Sequence, residues 1–486
     1  MTQQSYLVSI TTKYKVIFKT NIEKLSHIYK KLNHTSETSY HQLHQSHQPQ
    51  HFQILHLTPP MQTMKIVVHT LGCKVNQYES SQVIDELNKL GHTATDQMQK
   101  ADAYIINTCS VTAEAERKSR QICRRAKSLN DSANVFAFGC AVENYTKQTN
   151  NPFFADAIII TGCSDKQQVA QKMLAMYQMD NDSIDNTVDK IDVEPHPKDF
   201  GTHRTRKYIK IQDGCNKFCS YCIIPYLRGR NKSRDINDIL QEIKNTQANE
   251  IILTGIDISS FGMDNGTSLL ELFQQINTTA RIRFGSIECS PLTAELLHFM
   301  KSQGNYCDHF HLSLQSATNS VLKSMNRRYS IEEFTEKVQL IRQIFGQNTG
   351  ITTDIITGYP TETEQDFATT LANLEKLQFA DIHIFRYSPR EGTNAFRLPT
   401  LPSEIVEKRA KILEQLRAKH KQAFLQRQIG QTLSVYFETQ NQNLSKGYST
   451  NYCQVYAPAA LHTIQPVKII DIQEETLVGQ IQSNNS

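Results

Sequence analysis

The chain has 486 residues, 21% of them charged and 39% hydrophobic, with 11 Cys and no Trp; this is an ordinary soluble globular mixture long enough for roughly two to four domains. No run approaches the ~18 apolar residues of a membrane span, and no apolar leader with a small-residue cleavage site opens the chain. The sequence therefore excludes an integral membrane protein, argues against secretion, and points to a reducing, cytoplasmic setting in which 11 Cys serve metal or redox chemistry rather than disulfides. The formal net charge of +4 belongs to residues 1–63, with six Lys and two acidic residues, while the other 46 basic and 46 acidic residues cancel; nucleic-acid binding by the body must rest on local patches.

In chain order, residues 1–63 carry a Gln/His-rich tract from His41 to His56 and then Pro59-Pro60, the composition of a polar disordered extension. Residues 64–178 alternate strand signals (Lys65–His69, Ala103–Asn107, Val135–Phe138, Ala157–Ile160) with helical patterns (Gln77–Leu90, Ala113–Leu129), which predicts an α/β domain on a parallel sheet. The Asp-, Asn- and Pro-rich stretch that follows predicts a linker over 179–200. Residues 201–400 repeat the rhythm with strands at Tyr208–Gln212, Glu250–Thr254, Ile282–Ser286, His309–Leu314, Gly350–Ile356 and Asp381–Tyr387, a partial (β/α)6 barrel. A basic helix from Glu404 to Gln428 fills 401–430, and β-runs at Thr432–Glu438, Cys453–Ala457, Val467–Ile472 and Thr476–Ile481 predict a small C-terminal β-barrel over 431–486. Three stretches are strongly basic: Thr202–Arg234 (net +8), Glu114–Lys127 (+4) and Glu404–Arg427 (+4). The first encloses the densest cysteine cluster, as suits a polyanionic substrate brought to a chemical centre.

That cluster is Cys215-x3-Cys219-x2-Cys222, directly after a predicted strand. Three thiolates on one loop can hold three irons of a [4Fe–4S] cluster and leave the fourth open; zinc is the alternative, with a fourth ligand missing locally. A second set, Cys73, Cys109 and Cys140, follows three predicted parallel strands at their carboxyl ends, where loops of an α/β sheet converge. These three can bind a second cluster, the alternative being buried structural thiols. Cys123, Cys163, Cys289, Cys307 and Cys453 read as small buried hydrophobes.

The first loop, with Tyr221 before its last Cys, resembles the signature of radical S-adenosylmethionine (SAM) enzymes. In that superfamily the open iron binds the amino and carboxylate groups of SAM, and one-electron reduction yields a 5′-deoxyadenosyl radical. Thr70-Leu-Gly-Cys-Lys-Val-Asn-Gln-Tyr-Glu79, Asn107-Thr-Cys-Ser-Val111, Gly139-Cys-Ala-Val-Glu-Asn144, segments 214–234 and 309–329, Asp354–Thr363 and Tyr387–Thr393 together resemble the methylthiotransferases, over residues 64 to about 482. The resemblance implies two [4Fe–4S] clusters, on Cys215, Cys219 and Cys222 and on Cys73, Cys109 and Cys140. It also implies SAM, a flavodoxin- or ferredoxin-type reductant, a sulfur donor, and a terminal module like the family's RNA-binding TRAM domain. Tyr221, Gly255, Ser313, Gln315 and Asp354 would line the SAM pocket. Arg228, Arg230, Lys232 and Arg234, with Arg117, Lys118 and Arg120 from the first domain, would contact RNA phosphates. Tyr448, Asn451 and Tyr452 would add contacts from the C-terminal barrel, with the basic helix adding charge. The segments Thr70–Glu79 and Gly447–Tyr452 look most like the branch acting on N6-threonylcarbamoyladenosine of tRNA. The alternatives are the isopentenyladenosine branch, the branch modifying a ribosomal-protein aspartate, and a metal-stabilised RNA-binding protein without catalysis. Two segments depart from the family pattern by replacing a Gly, Gln315-Ser-Ala-Thr318 and Tyr359-Pro-Thr-Glu-Thr363.

Overall fold

The computed structural model describes residues 63–146, 156–162, 166–181, 205–441 and 444–482. The N-terminal extension, Cys163 and most of the expected linker lie outside the described residues. The first domain is a parallel sheet in the order β2-β1-β3-β4-β5, from β1 (Lys65–Thr70), β2 (Thr93–Thr95), β3 (Ala103–Thr108), β4 (Asn134–Gly139) and β5 (Ile158–Ile159). Alternate residues serve opposite faces. Ile66, Val68, Ile105 and Phe136 pack under helices Lys74–Lys89 and Gln167–Asn181. Val67, Tyr104, Ile106 and Val135 pack under helices Ala113–Leu129 and Cys140–Thr146. With both faces covered, β3 is buried at every position and opens with the apolar run Ala103–Ile106.

The second domain holds β6 (Lys207–Asp213), β7 (Lys232–Ser233), β8 (Glu250–Gly255), β9 (Arg281–Phe284), β10 (Ser286–Ile287), β11 (His309–Gln315), β12 (Gly350–Thr357) and β13 (Asp381–Arg386). Its parallel strands follow chain order as two arcs, β6-β8-β9 and β10-β11-β12-β13, with the short β7 antiparallel on β6. The strand expected over Ile282–Ser286 is divided at Gly285, where the chain changes partner from β8 to β11. Gly285 packs against β8, its N–H donating to the Leu253 carbonyl at 2.7 Å. A single apolar core joins this open barrel to its outer helices. Two of those helices begin with reciprocal capping boxes, Ser330 with Glu333 and Thr363 with Asp366.

Helix Ser403–Gln426 leaves the barrel and inserts Leu413 into the barrel core and Phe424 and Leu425 into the terminal core. The five strands β14 (Thr432–Asn441), β15 (Leu444–Ser449), β16 (Gln454–Ala457), β17 (Ile464–Gln473) and β18 (Thr476–Ile481) close as β14-β15-β16-β18-β17. The sequence reading does not include β2, β7 or β15. The inward positions of β15 are Ser445, Gly447 and Ser449, so the strand shows no apolar alternation. A Cβ on Gly447 would stand 2.3 Å from the Tyr436 carbonyl oxygen, which requires the smallest residue there.

Candidate active site

Three adjacent strands, β1, β3 and β4, end beside one another and carry Cys73, Cys109 and Cys140 on the following loops. Their loops interlock through polar side chains. Asn76 Nδ2 donates to the carbonyls of Leu71 (2.8 Å) and Thr108 (3.1 Å). Asn107 Nδ2 donates to the Asn76 carbonyl (2.9 Å), and Thr108 Oγ1 to that of Phe138 (2.7 Å). Gly72, at φ +96°, lets the first loop cross Cys109; a Cβ there would stand 2.8 Å from the Cys109 Sγ. Burial pushes the Cys109 thiol up to about 12 and raises Cys73, and each of these thiols is raised further by its neighbours in the triad. Cys73 faces the open space of a cavity although protein surrounds it on most sides.

Cys215, Cys219 and Cys222 lie between β6 and the short helix Ile224–Arg228. Gly214, at φ +67°, begins this loop, and a Cβ on it would stand 1.9 Å from the Arg230 carbonyl oxygen. Gly214→Ala is therefore expected to displace the 229–230 backbone and to lower the iron retained by this loop, checked by iron content and absorption near 400 nm. Burial raises Cys215 to about 11 and Cys222 to about 12. The backbone N–H of Lys217 donates to Cys215 Sγ at 3.4 Å, and Arg327 Nη1 to Cys219 Sγ at 3.4 Å. Lys217 Nζ also pairs with Asp257 (2.9 Å) and Glu288 (2.6 Å), and Arg327 with Glu288 (2.7 Å).

All six cysteines line one cavity of about 260 Å³, together with Tyr221, Gly255, Ser313 and Gln315. Gly255 sits at the junction with a larger cavity of about 740 Å³, which shares Cys73, Gly255 and Ser286 with the first. Asp354 differs from expectation: it lies in the larger cavity, its oxygens 3.1 Å from His311 Nε2 and 3.2 Å from His383 Nδ1. Burial raises its pKa, but the two imidazoles outweigh burial and hold the carboxyl well below its usual range. The two replaced glycines meet no left-handed backbone: neither Ala317 nor Thr361 takes a positive φ, whereas Gln315 does (φ 71°).

The two cysteine loops are joined by Arg228. Its side chain, 9% exposed, reaches Glu79 (2.8 and 3.0 Å), Asn76 Oδ1 (2.7 Å), Asp213 (3.3 Å) and Cys140 Sγ (3.2 Å). Arg390 makes a second bridge, from the loop after β13 to Glu116 and to Ser110 Oγ (3.0 Å) beside Cys109. Glu79, Asn76, Lys217, Asp257, Glu288, Arg327 and Arg390 were not singled out from the sequence. Buried ion pairs join residues far apart in the chain, so nothing local marks them.

Residues 209–374 match the family described as the Radical SAM superfamily, and residues 65–160 match one described as Uncharacterized protein family UPF0004. The threonylcarbamoyladenosine tRNA methylthiotransferase MtaB of Chlamydia pneumoniae is 34% identical over 86% of this chain and 98% of its own. The MtaB protein of Bacillus subtilis (strain 168) is 32% identical over 80% of this chain and 89% of its own. A tRNA-2-methylthio-N(6)-dimethylallyladenosine synthase of Protochlamydia amoebophila is 31% identical over 86% and 96%. The chain belongs to the radical SAM methylthiotransferases. It is an enzyme of that kind, with SAM and two [4Fe–4S] clusters as its cofactors.

The residues present in this methylthiotransferase fit such clusters. Thiolates around one zinc at about 2.3 Å lie within about 4 Å of one another. Among the described residues the only His/Cys/Asp/Glu triad with all ligand atoms within 4.8 Å is His311, Asp354 and His383, so neither cysteine triad is compact enough for a single ion. An iron–sulfur cube spreads its ligands wider. Arg228, Arg327 and the Lys217 N–H, aimed at sulfurs of the two triads, complement anionic clusters.

The methylthiotransferase places its expected RNA contacts unevenly. Arg228 is buried in the ion pairs just described and has no face for a phosphate. Arg234 turns inward to Glu242 (2.7 Å) and the Lys210 carbonyl (2.7 Å). Arg230 and Lys232 are exposed, Arg230 lying over the Phe218 ring. Arg117 and Lys118 are exposed and share Glu114, and Arg120 is half-buried. The basic helix commits part of its charge: Arg409 pairs with Glu362, Arg417 and Lys421 with Asp381 and Glu475, and Lys419 with Glu375, whereas Lys408, Lys411 and Arg427 are exposed. Asn451 is buried against the barrel, donating to the Asn348 carbonyl at 2.9 Å. Tyr448 and Tyr452 stack at 5.0 Å in the wall of the larger cavity, with His309 4.6 Å beyond Tyr452. Cys123, Cys289, Cys307 and Cys453 are buried, in keeping with packing roles.

Proposed function

We propose that this enzyme adds a methylthio group to C2 of N6-threonylcarbamoyladenosine beside the anticodon of tRNA. The observation that carries the reading is the convergence of both cysteine triads on one cavity of about 260 Å³. A C2 hydrogen of adenine is too weakly acidic for a side-chain base near neutral pH, so the difficult chemistry belongs to cofactors and the chain supplies placement. Bound on Cys215, Cys219 and Cys222, one cluster would supply the electron and open iron for SAM cleavage, and the other, on Cys73, Cys109 and Cys140, would carry the sulfur. Arg228 and Arg390 hold the two halves in register across the cavity. Lys217 and Arg327 with Asp257 and Glu288 offer charges of both signs to the amino-acid end of SAM beside Tyr221, Ser313 and Gln315. Relatives named for threonylcarbamoyladenosine support the substrate.

The terminal β-barrel would take the part of an RNA-binding TRAM domain, and the larger cavity that of the nucleoside entrance. Arg117, Lys118, Arg120, Arg230 and Lys232 are the proposed phosphate contacts. Lys232→Glu is expected to weaken tRNA binding uniformly across sequences and to reduce the salt slope by about one counterion, read by filter binding between low and moderate salt. No described helix is long and apolar enough to cross a membrane; a cytoplasmic enzyme would be the reading in keeping with the proposed tRNA substrate. A flavodoxin- or ferredoxin-type protein would supply electrons, and a separate donor the sulfur. The test is expression in cells lacking their own methylthiotransferases, followed by mass spectrometry of tRNA nucleosides. A methylthio increment on threonylcarbamoyladenosine is expected; one on isopentenyladenosine keeps the chemistry and overturns the substrate.

A further inference from the structure

We propose that Lys74 is the receptor for the free carboxylate of the threonylcarbamoyl group, and so the residue that selects the N6 substituent. This deepens the substrate reading above and rests on it. The larger cavity, about 740 Å³, meets the six-cysteine cavity at Cys73, Gly255 and Ser286. In adenine, N1 separates C2 from C6. A base whose C2 faces the cysteines therefore sends its N6 substituent away from them, into the larger space. That substituent is polar and ends in an amino-acid carboxylate.

The cations around this space are nearly all committed. Lys421 pairs with Asp381 and Glu475. Arg206 pairs with Glu438 and Glu250. Arg283 is held by Glu250 (3.0 Å) and by the Ser449 and Thr450 carbonyls (3.1 and 3.0 Å). Lys74 lines the cavity and, among the described residues, has neither ion pair nor hydrogen bond. It opens helix Lys74–Lys89, whose first turn has no acidic residue and whose N-cap makes no side-chain hydrogen bond. The positive end of the helix dipole thus adds to the ammonium charge. The cavity acid Asp354 is engaged by His311 and His383 and makes no ion pair with Lys74, acting on it only through space. An ammonium held in a protein cavity without an anion is costly, and a ligand carboxylate supplies the missing partner. An isopentenyl group brings no charge and leaves Lys74 unpaired. Sites built for a charged or hydrogen-bonding group reject analogues lacking it far more strongly than apolar pockets reject a missing methylene.

The experiment uses cluster-loaded enzyme and three anticodon stem-loop RNAs, carrying threonylcarbamoyladenosine, its methyl ester, or isopentenyladenosine. KM for modification and Kd from fluorescence anisotropy are measured for the unsubstituted enzyme, Lys74→Met and Lys74→Arg. The unsubstituted enzyme is expected to prefer acid over ester by about 10- to 100-fold, the scale of one charge-assisted hydrogen bond. Lys74→Met should abolish that preference, mainly in KM and Kd, while Lys74→Arg retains most of it. The acid-to-ester ratio is insensitive to cluster loss beside Cys73, because inactive molecules are lost to both substrates equally. A Lys74→Met enzyme that keeps the preference overturns the subsite alone. An unsubstituted enzyme that modifies isopentenyladenosine and not the acid overturns the substrate reading and the subsite with it.

Discussion

Cys219→Ala is expected to reduce methylthiolation to background while tRNA binding remains. On the proposed assignment, the loop 215–222 holds three irons, and removing one thiolate releases that cluster. Loaded protein should fall from about eight irons per chain to about four. SAM cleavage, followed as 5′-deoxyadenosine, should disappear with it. Cys73→Ala is the informative partner. It should also lose about four irons and all methylthio product, yet still cleave SAM, because the second triad takes no part in that step. RNA affinity should stay within twofold in both, since surface cations, not cluster thiolates, are the proposed phosphate contacts. Methylthio product from Cys219→Ala protein would contradict the radical assignment.

Arg228→Met is expected to destabilise the docked pair of domains by about 3–5 kcal/mol, the range for breaking a buried ion pair from one side. The Glu79 side chain is fully buried, and Arg228 supplies its two closest charged contacts; Lys210, at 3.7 Å, and the charge of Lys166 would remain. Burial pushes the Glu79 carboxyl up, but Arg228 and then the lysines outweigh it, so its folded pKa lies below the ordinary 4.5. For a depressed acid the contribution is complete above the unfolded value and disappears as pH falls through the folded one. Docking should therefore hold at neutral pH and weaken below about pH 4.5. The measurement is denaturant unfolding of loaded protein from pH 4 to 8, with iron release followed in parallel. Combining Arg228→Met with Glu79→Gln should recover much of the loss, because no buried carboxylate is then left unpaired.

Much of the site was legible because its chemistry is carried by short, spaced motifs. Cysteine spacing after a strand, and three cysteines at equivalent strand ends, are local facts that a parallel sheet converts into proximity. Strands buried on both faces, such as β3 and β8, were legible for a similar reason: their apolar runs stand out along the chain. Strand β15 was not, because the tight barrel demands Ser445, Gly447 and Ser449 on its inner face. The basic patches were legible only in part, for a different reason. A run of Lys and Arg reads as a surface for phosphate, but charge is committed by what folding brings opposite it. Arg228 meets Glu79, 149 residues away, and Arg409 meets Glu362.

By itself, the sequence determined the order of domains, the two cysteine triads and the family whose motifs they carry, since these depend on residue type and spacing along the chain. Only the tertiary structure decided that both triads open on one cavity, that Arg228 is buried among ion pairs joining the halves, and that Asp354 faces the larger space with two histidines. It also left Lys74 as a cavity cation with no ion pair among the described residues. Pairings of that kind are set by which strands become neighbours and which side chains lose water together, and no local pattern records them.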